Sequence, residues 1–155
     1  MVTFMLRLFL FLSLLLAGSR LGAETPSPPS PPDWDRITVP TMKTSIYVGS
    51  VALTTGVFER HDSTLSTTYE VKVRPWFFWG ETGNFTISLS AANLASLAKG
   101  ETVEFSGEAV NHRHKPRQVT GRAQPLDATT GKFKVRIKAD GVELIFNSTY
   151  RLETH

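Results

Sequence analysis

Eight Lys and Arg side chains fall between residues 111 and 138 against one acid, Asp127. Arg113, Lys115, Arg117 and Arg122 belong to one expected hairpin. Lys132, Lys134, Arg136 and Lys138 alternate along the next expected strand, where a period of two sends them to one face. Such an array meets phosphate, sulfate or carboxylate groups on a polymer with salt-sensitive, weakly specific affinity. The same alternation also keeps an exposed sheet face solvated and discourages edge-to-edge pairing. Nucleic acid is a disfavoured partner. Its bases would stack on aromatics interleaved with the cations, whereas Phe133 alternates onto the opposite, apolar side.

Trp76, Phe77, Phe78 and Trp79 form a second candidate, four consecutive aromatics between Pro75 and Gly80. In an extended segment they divide between two faces, so that Trp76 with Phe78, or Phe77 with Trp79, faces outward unless covered. An outward pair suits sugar stacking, a partner interface or an apolar ligand at a barrel mouth. A core buried on both sides is the competing reading.

No catalytic constellation accompanies these groups. His112 and His114 would share one side of a strand, but a catalytic zinc needs a third protein ligand with a satisfied outer shell, and a polar hairpin tip explains them. His61, Asp62 and Ser63 are adjacent in a turn, while a catalytic relay requires groups converging from separate elements. Glu104 and Glu108 match in strand parity but Glu101 does not, the pattern of surface glutamates on a solvated face. Gly80 and Gly83 precede no phosphate-binding Lys-Ser/Thr helix start. No cysteine is present, which excludes thiol catalysis, cysteine metal sites and disulfides. Neither a metal nor a cofactor is expected.

The elements that must position these residues are mostly strands. Leu65, Thr67, Tyr69, Val71 and Val73 alternate with polar neighbours, and the alternation recurs at Phe85, Ile87 and Leu89, at Val103, Phe105 and Ala109, and at Phe133, Val135 and Ile137. Turns are expected at His61 to Ser63, Gly80 to Asn84 and Asp127 to Gly131, and Asp140-Gly141 suits a two-residue type I′ hairpin. Ser90 to Gly100 breaks the period. Ser90 can cap a helix over about 91–99, and Gly100 can end it. The expected fold is all-β: one antiparallel β-sandwich or small β-barrel of about seven or eight strands with one short helix.

Residues 34–155 are the expected domain. Residues 24–33 include Glu24 to Pro32, with five prolines in nine residues, and read as an extended linker. Residues 1–23 read as a cleavable signal peptide: Arg7, the apolar run Leu8 to Ala17, then small residues up to Ala23. The run is about half the length a spanning helix needs, so no transmembrane anchor is expected after cleavage, and the destination is secreted or periplasmic. Beyond Ala23 the chain has 15 basic and 14 acidic residues, so it is polarised rather than basic. Asn84-Phe85-Thr86 and Asn147-Ser148-Thr149 fit the N-glycosylation pattern in a host that has that machinery.

The expected function is an exported, non-enzymatic binding domain. Its partner would be an anionic polymer, an envelope component, an apolar ligand or another protein. The alternative is an assembly component that pairs through its strands or through Trp76 to Trp79.

Overall fold

The computed structural model describes residues 34–154; the expected signal peptide and linker lie outside the described residues. Ten strands form: β1 Arg36–Thr38, β2 Met42–Ile46, β3 Gly49–Thr55, β4 Phe58–His61, β5 Thr64–Arg74, β6 Glu81–Ser88, β7 Val103–Asn111, β8 Pro116–Pro125, β9 Thr130–Ala139 and β10 Val142–Glu153. They close an eight-stranded antiparallel barrel with one short helix, α1 Ala91–Ala98. Barrel, not sandwich, is therefore the architecture.

Ten strands make eight staves because two staves are interrupted. β1 and β2 keep one continuous register against β4 and β3, with Arg36 opposite Glu59 and Met42 opposite Leu53. β3 and β4 both lie along β5, where Thr55 faces Tyr69 and Glu59 faces Ser66. That step takes one extra residue on the β3–β4 side, a bulge at Gly56 and Val57. Gly56 N–H still donates to the Thr68 carbonyl at 2.9 Å. From β5 onward each strand pairs with the next, and β10 returns to β1 through Arg36↔Glu153 to Thr38↔Arg151.

Period-two patterning decides what lies inside. Leu65, Tyr69, Val73, Phe85, Ile87, Val103, Phe105, Val119, Phe133, Val135, Phe146 and Tyr150 are all buried, as the alternating face of a closed sheet must be. The phase shifts at Asp140 and Gly141, whose φ angles of 48° and 83° meet the positive-φ requirement of a type I′ turn. Phe58 packs edge-on against Phe85 at 5.4 Å, and Phe105 stacks on Phe133 at 5.4 Å.

Helix α1 covers one end of the barrel. Ser90 Oγ accepts from Asn93 N–H at 3.1 Å at its start, and Gly100 adopts φ 80° just past its end. Leu94 and Leu97 turn onto the core. The opposite end carries the turns at Tyr47 and Val48, Pro75 to Gly80, His112 to Lys115, and Asp140 and Gly141.

Two expected turns are confined to their first residues, Gly80 and Asp127 to Thr129, and Gly83 and Gly131 lie in strands. β6 begins at Glu81 and runs through Gly83, and β9 begins at Thr130 and runs through Gly131. Both glycines face inward beside tyrosine rings: a Cβ would meet Tyr69 Cε1 at 2.9 Å from Gly83, and the Tyr150 ring at 2.4 Å from Gly131. Lack of a side chain, not turn geometry, is what these positions require.

Candidate functional site

The aromatic run leaves the extended path assumed from sequence. Phe77–Trp79 is a single 3-10 turn, with Trp79 N–H donating to the Trp76 carbonyl at 3.0 Å. Trp76 is half-buried against the core and stacks on Trp79, ring centroids 5.2 Å apart. Phe77, Phe78 and Trp79 retain 84, 65 and 59% of their surface in the open. Three of the four aromatics therefore point to solvent, where large apolar side chains are uncommon as a contiguous group. Tyr47 and Val48 stand exposed on the neighbouring hairpin. That hairpin is held close: a Cβ at Gly49 would lie 3.2 Å from Pro75 Cδ.

Behind this aromatic knuckle, inward-facing polar groups gather around one carboxylate. Tyr69 Oη–H donates to Glu81 Oε1 at 3.0 Å, Asn111 Nδ2–H to Oε2 at 2.9 Å, and Arg117 Nη2–H to Oε2 at 3.2 Å. The same Nη2 reaches Asp140 Oδ2 at 2.9 Å. Asn111 Oδ1 accepts from Arg113 and Lys115 N–H, at 3.0 and 2.9 Å, and so fixes the β7–β8 turn. Five residues on five strands or turns are thereby tied together.

The electrostatics follow from this arrangement. Burial opposes ionisation of Glu81, yet the hydrogen bonds from Asn111, Arg117 and Tyr69 hold its carboxyl below the usual range. Asp140 is lowered by its hydrogen bond and ion pair with Arg117. Burial raises Tyr69, and the adjacent Glu81 charge raises it further. Arg117 is raised, first by Asp140 and then by Glu81.

Arg117 thus leaves the basic array expected from sequence. It is 8% exposed and faces the interior, engaged with two acids. Five of the remaining cations share a surface. On the outer wall Lys138, Arg136, Lys134 and Lys132 face Gln118, Thr120, Arg122 and Gln124 across the β8–β9 ladder. Arg122 and Lys134 are direct partners, and like charges so placed repel. The column from Lys132 to Lys138 is about 20 Å long at strand rise. Among the described residues one carboxylate pairs with it, Glu143, 3.8 Å from Arg136. Arg113 and Lys115 stand exposed on the β7–β8 turn at the aromatic end of the barrel.

Sequence reasoning missed the buried polar cluster, although parity carries its signal. Glu81 is in phase with Phe85 and Ile87, Asn111 with Phe105 and Ala109, and Arg117 with Val119 and Ala123. Polar residues that keep an apolar phase are inward-facing. His112 and His114 are exposed turn residues, and among the described residues no three His, Cys, Asp or Glu side chains group to hold a metal. The described helix is too short and insufficiently apolar to cross a membrane.

No protein-family model matches this chain, and no curated protein or solved structure matches it either.

Proposed function

We propose that the chain is an exported, non-enzymatic binding domain that docks on an anionic polymer through the outer face of β8 and β9. The observation that carries this reading is the register that sets Arg122 directly opposite Lys134 within the Lys132–Lys138 column. Two facing cations destabilise a ladder; phosphate or sulfate groups on a partner would relieve that repulsion. Cations two residues apart on a strand are about 6.7 Å apart, a spacing suited to repeated anionic groups rather than to one pocketed anion. The secreted or periplasmic destination belongs to the same proposal and rests on the leader sequence.

Retention on immobilised dextran sulfate across a NaCl series tests the reading. The protein should bind at low salt and elute progressively later as ionic strength is kept down. Lys134→Gln with Lys138→Gln should elute at clearly lower salt. Flow-through at the lowest salt, or an unchanged elution point in the double variant, would remove the polyanion function.

A second reading is supported by exposed Phe77, Phe78 and Trp79 beside Tyr47. An assembly component would bury this knuckle against another subunit. Light scattering at high protein concentration separates the two: a monomer counts against assembly between copies of this chain.

A further inference from the structure

One end of the barrel concentrates the exposed apolar surface. Of the nine large hydrophobic side chains that stand exposed among the described residues, six lie on or beside its turns: Tyr47, Val48, Phe77, Phe78, Trp79 and Val142. Tyr47 and Phe77 keep 108 and 84% of their surface, so they project instead of lining a flat patch. We propose that this end docks on a lipid bilayer that contains anionic lipid, with the Phe77–Trp79 turn and the neighbouring Tyr47 and Val48 entering the headgroup region.

Charge, side-chain chemistry and backbone pairing all favour a bilayer. The carboxylates on or beside these turns, Glu81, Asp140 and Glu143, are each engaged by an arginine. Arg74, Arg113 and Lys115 are exposed on the same turns or next to them and form no ion pair among the described residues. The opposite end exposes Asp62, Glu101 and Asp127 on its loops, so an anionic surface selects the aromatic end. Trp and Tyr suit the boundary between acyl chains and water because each joins an apolar ring to one polar group. Phe77 and Phe78 add wholly apolar rings beside them. The turn also brings few unpaired backbone donors with it: Pro75 has no N–H, and the Phe77, Trp79 and Gly80 N–H groups donate to the Pro75, Trp76 and Phe77 carbonyls. Unpaired donors are unfavourable where water is scarce. A protein partner would need a pocket for each projecting ring, whereas acyl chains rearrange around them. This surface is separate from the outer column of β8 and β9, and failure of either proposal leaves the other standing.

Tryptophan emission of the full chain is the readout, with vesicles of phosphatidylcholine and phosphatidylglycerol whose acyl chains are brominated near the headgroup. The chain's three tryptophans are Trp34, Trp76 and Trp79, and residues 1–23 contain none. Trp34 lies beside Leu97 and Asp127 at the opposite end, so quenching reports which end is inserted. Emission should shift to shorter wavelength and be quenched, and most of the quenching should disappear in Trp79→Phe. Partitioning read from this quenching should weaken about fivefold per cation in Arg113→Gln with Lys115→Gln. It should weaken about tenfold per ring in Phe77→Ser with Phe78→Ser. Tyr47→Ser with Val48→Ser, on the separate β2–β3 hairpin, should weaken it too and serves if the phenylalanine variant does not fold. Absence of quenching overturns the proposal. So does unchanged partitioning in the folded phenylalanine variant, or binding lost instead in Lys134→Gln with Lys138→Gln. Self-association that depends on Phe77 and Phe78, without vesicle binding, overturns it in favour of a second copy of the chain as the occupant.

Discussion

The ring of Phe105 lies over Gly121, its direct partner across the β7–β8 ladder: a Cβ at Gly121 would fall 2.4 Å from Phe105 Cζ. Tyr69 and Gly83, and Tyr150 and Gly131, are direct partners of the same kind. Each inward aromatic uses the space that its opposite residue leaves empty, which lets large rings fill a narrow barrel.

Gly121→Ala therefore forces a methyl into a ring and the facing Lys134 carbonyl, 2.4 Å from the built position. Overpacking of this sort costs about 1–3 kcal/mol. Thermal unfolding followed by circular dichroism should show a lowered Tm for Gly121→Ala and for Gly131→Ala. Gly141→Ala is strained by its φ of 83° instead, with nothing within 4 Å of the added Cβ. An unchanged Tm in both barrel variants would mean that the rings rotate aside freely.

These glycines show where sequence pattern stops being informative. Strand faces such as Leu65 to Val73 and Phe133 to Ile137 were legible because side-chain direction follows parity alone. The Asp140-Gly141 turn and the Ser90 cap were legible because each relies on local backbone chemistry. Gly83 and Gly131 were read as turn residues, since a glycine that admits a ring and a glycine that admits positive φ look alike in one sequence. Closure into a barrel depends on Arg36 to Thr38 meeting Arg151 to Glu153, a pairing with no local signature. At the candidate site, the aromatic run was visible but its 3-10 turn was not. Grouping Arg117 with the exposed cations followed charge where its phase pointed inward.

The Glu81 cluster makes stability depend on pH. Glu81 and Asp140 have folded pKa values lowered relative to the unfolded chain, so the unfolded state binds more protons in acid. Their contribution is complete above the ordinary carboxylate range and is lost as pH falls through the lowered folded values. Asp127, held to about 2 chiefly by the Thr130 hydroxyl and also by the Thr129 and Thr130 amides, adds to the same slope. Urea midpoints measured from neutral pH downward should fall in the wild type. The fall should be shallower in Glu81→Gln, whose side chain does not titrate. Equal slopes would show that other carboxylates control acid unfolding.

Arg117→Met isolates the ion pair. Removing the guanidinium leaves Glu81, with its side chain 19% exposed, supported only by Tyr69 and Asn111. Loss of one partner from a buried pair costs about 3–5 kcal/mol, and partial exposure favours the lower end here. Glu81→Gln combined with Arg117→Met should recover much of that loss, because no uncompensated charge remains inside. Chemical denaturation of the two single variants and the double variant gives the coupling directly; additive losses would exclude the interaction as described.

Phe77 and Phe78 should behave differently from every residue above. Both are largely exposed, and the Phe78 ring lies 5.8 Å from Phe77 and 5.6 Å from Trp79 between centroids. Phe77→Ser with Phe78→Ser is expected to change stability by no more than about 0.5 kcal/mol per site. Retention on a phenyl resin in high salt should drop sharply at the same time. A large loss of Tm would show that the knuckle supports the fold rather than a contact.

The seam between the first and last staves gives the final prediction. β1 is laddered to β10 over Arg36 to Thr38, whereas β2 takes its ladder from β3 alone. β9, by contrast, is paired along its length to both β8 and β10. A stave laddered on one side opens at lower free energy than one held on both. Native-state hydrogen exchange should therefore find the amides of Met42–Ile46 exchanging faster than those of Phe133–Ile137. Equal protection of the two segments would place the weak point of the barrel elsewhere.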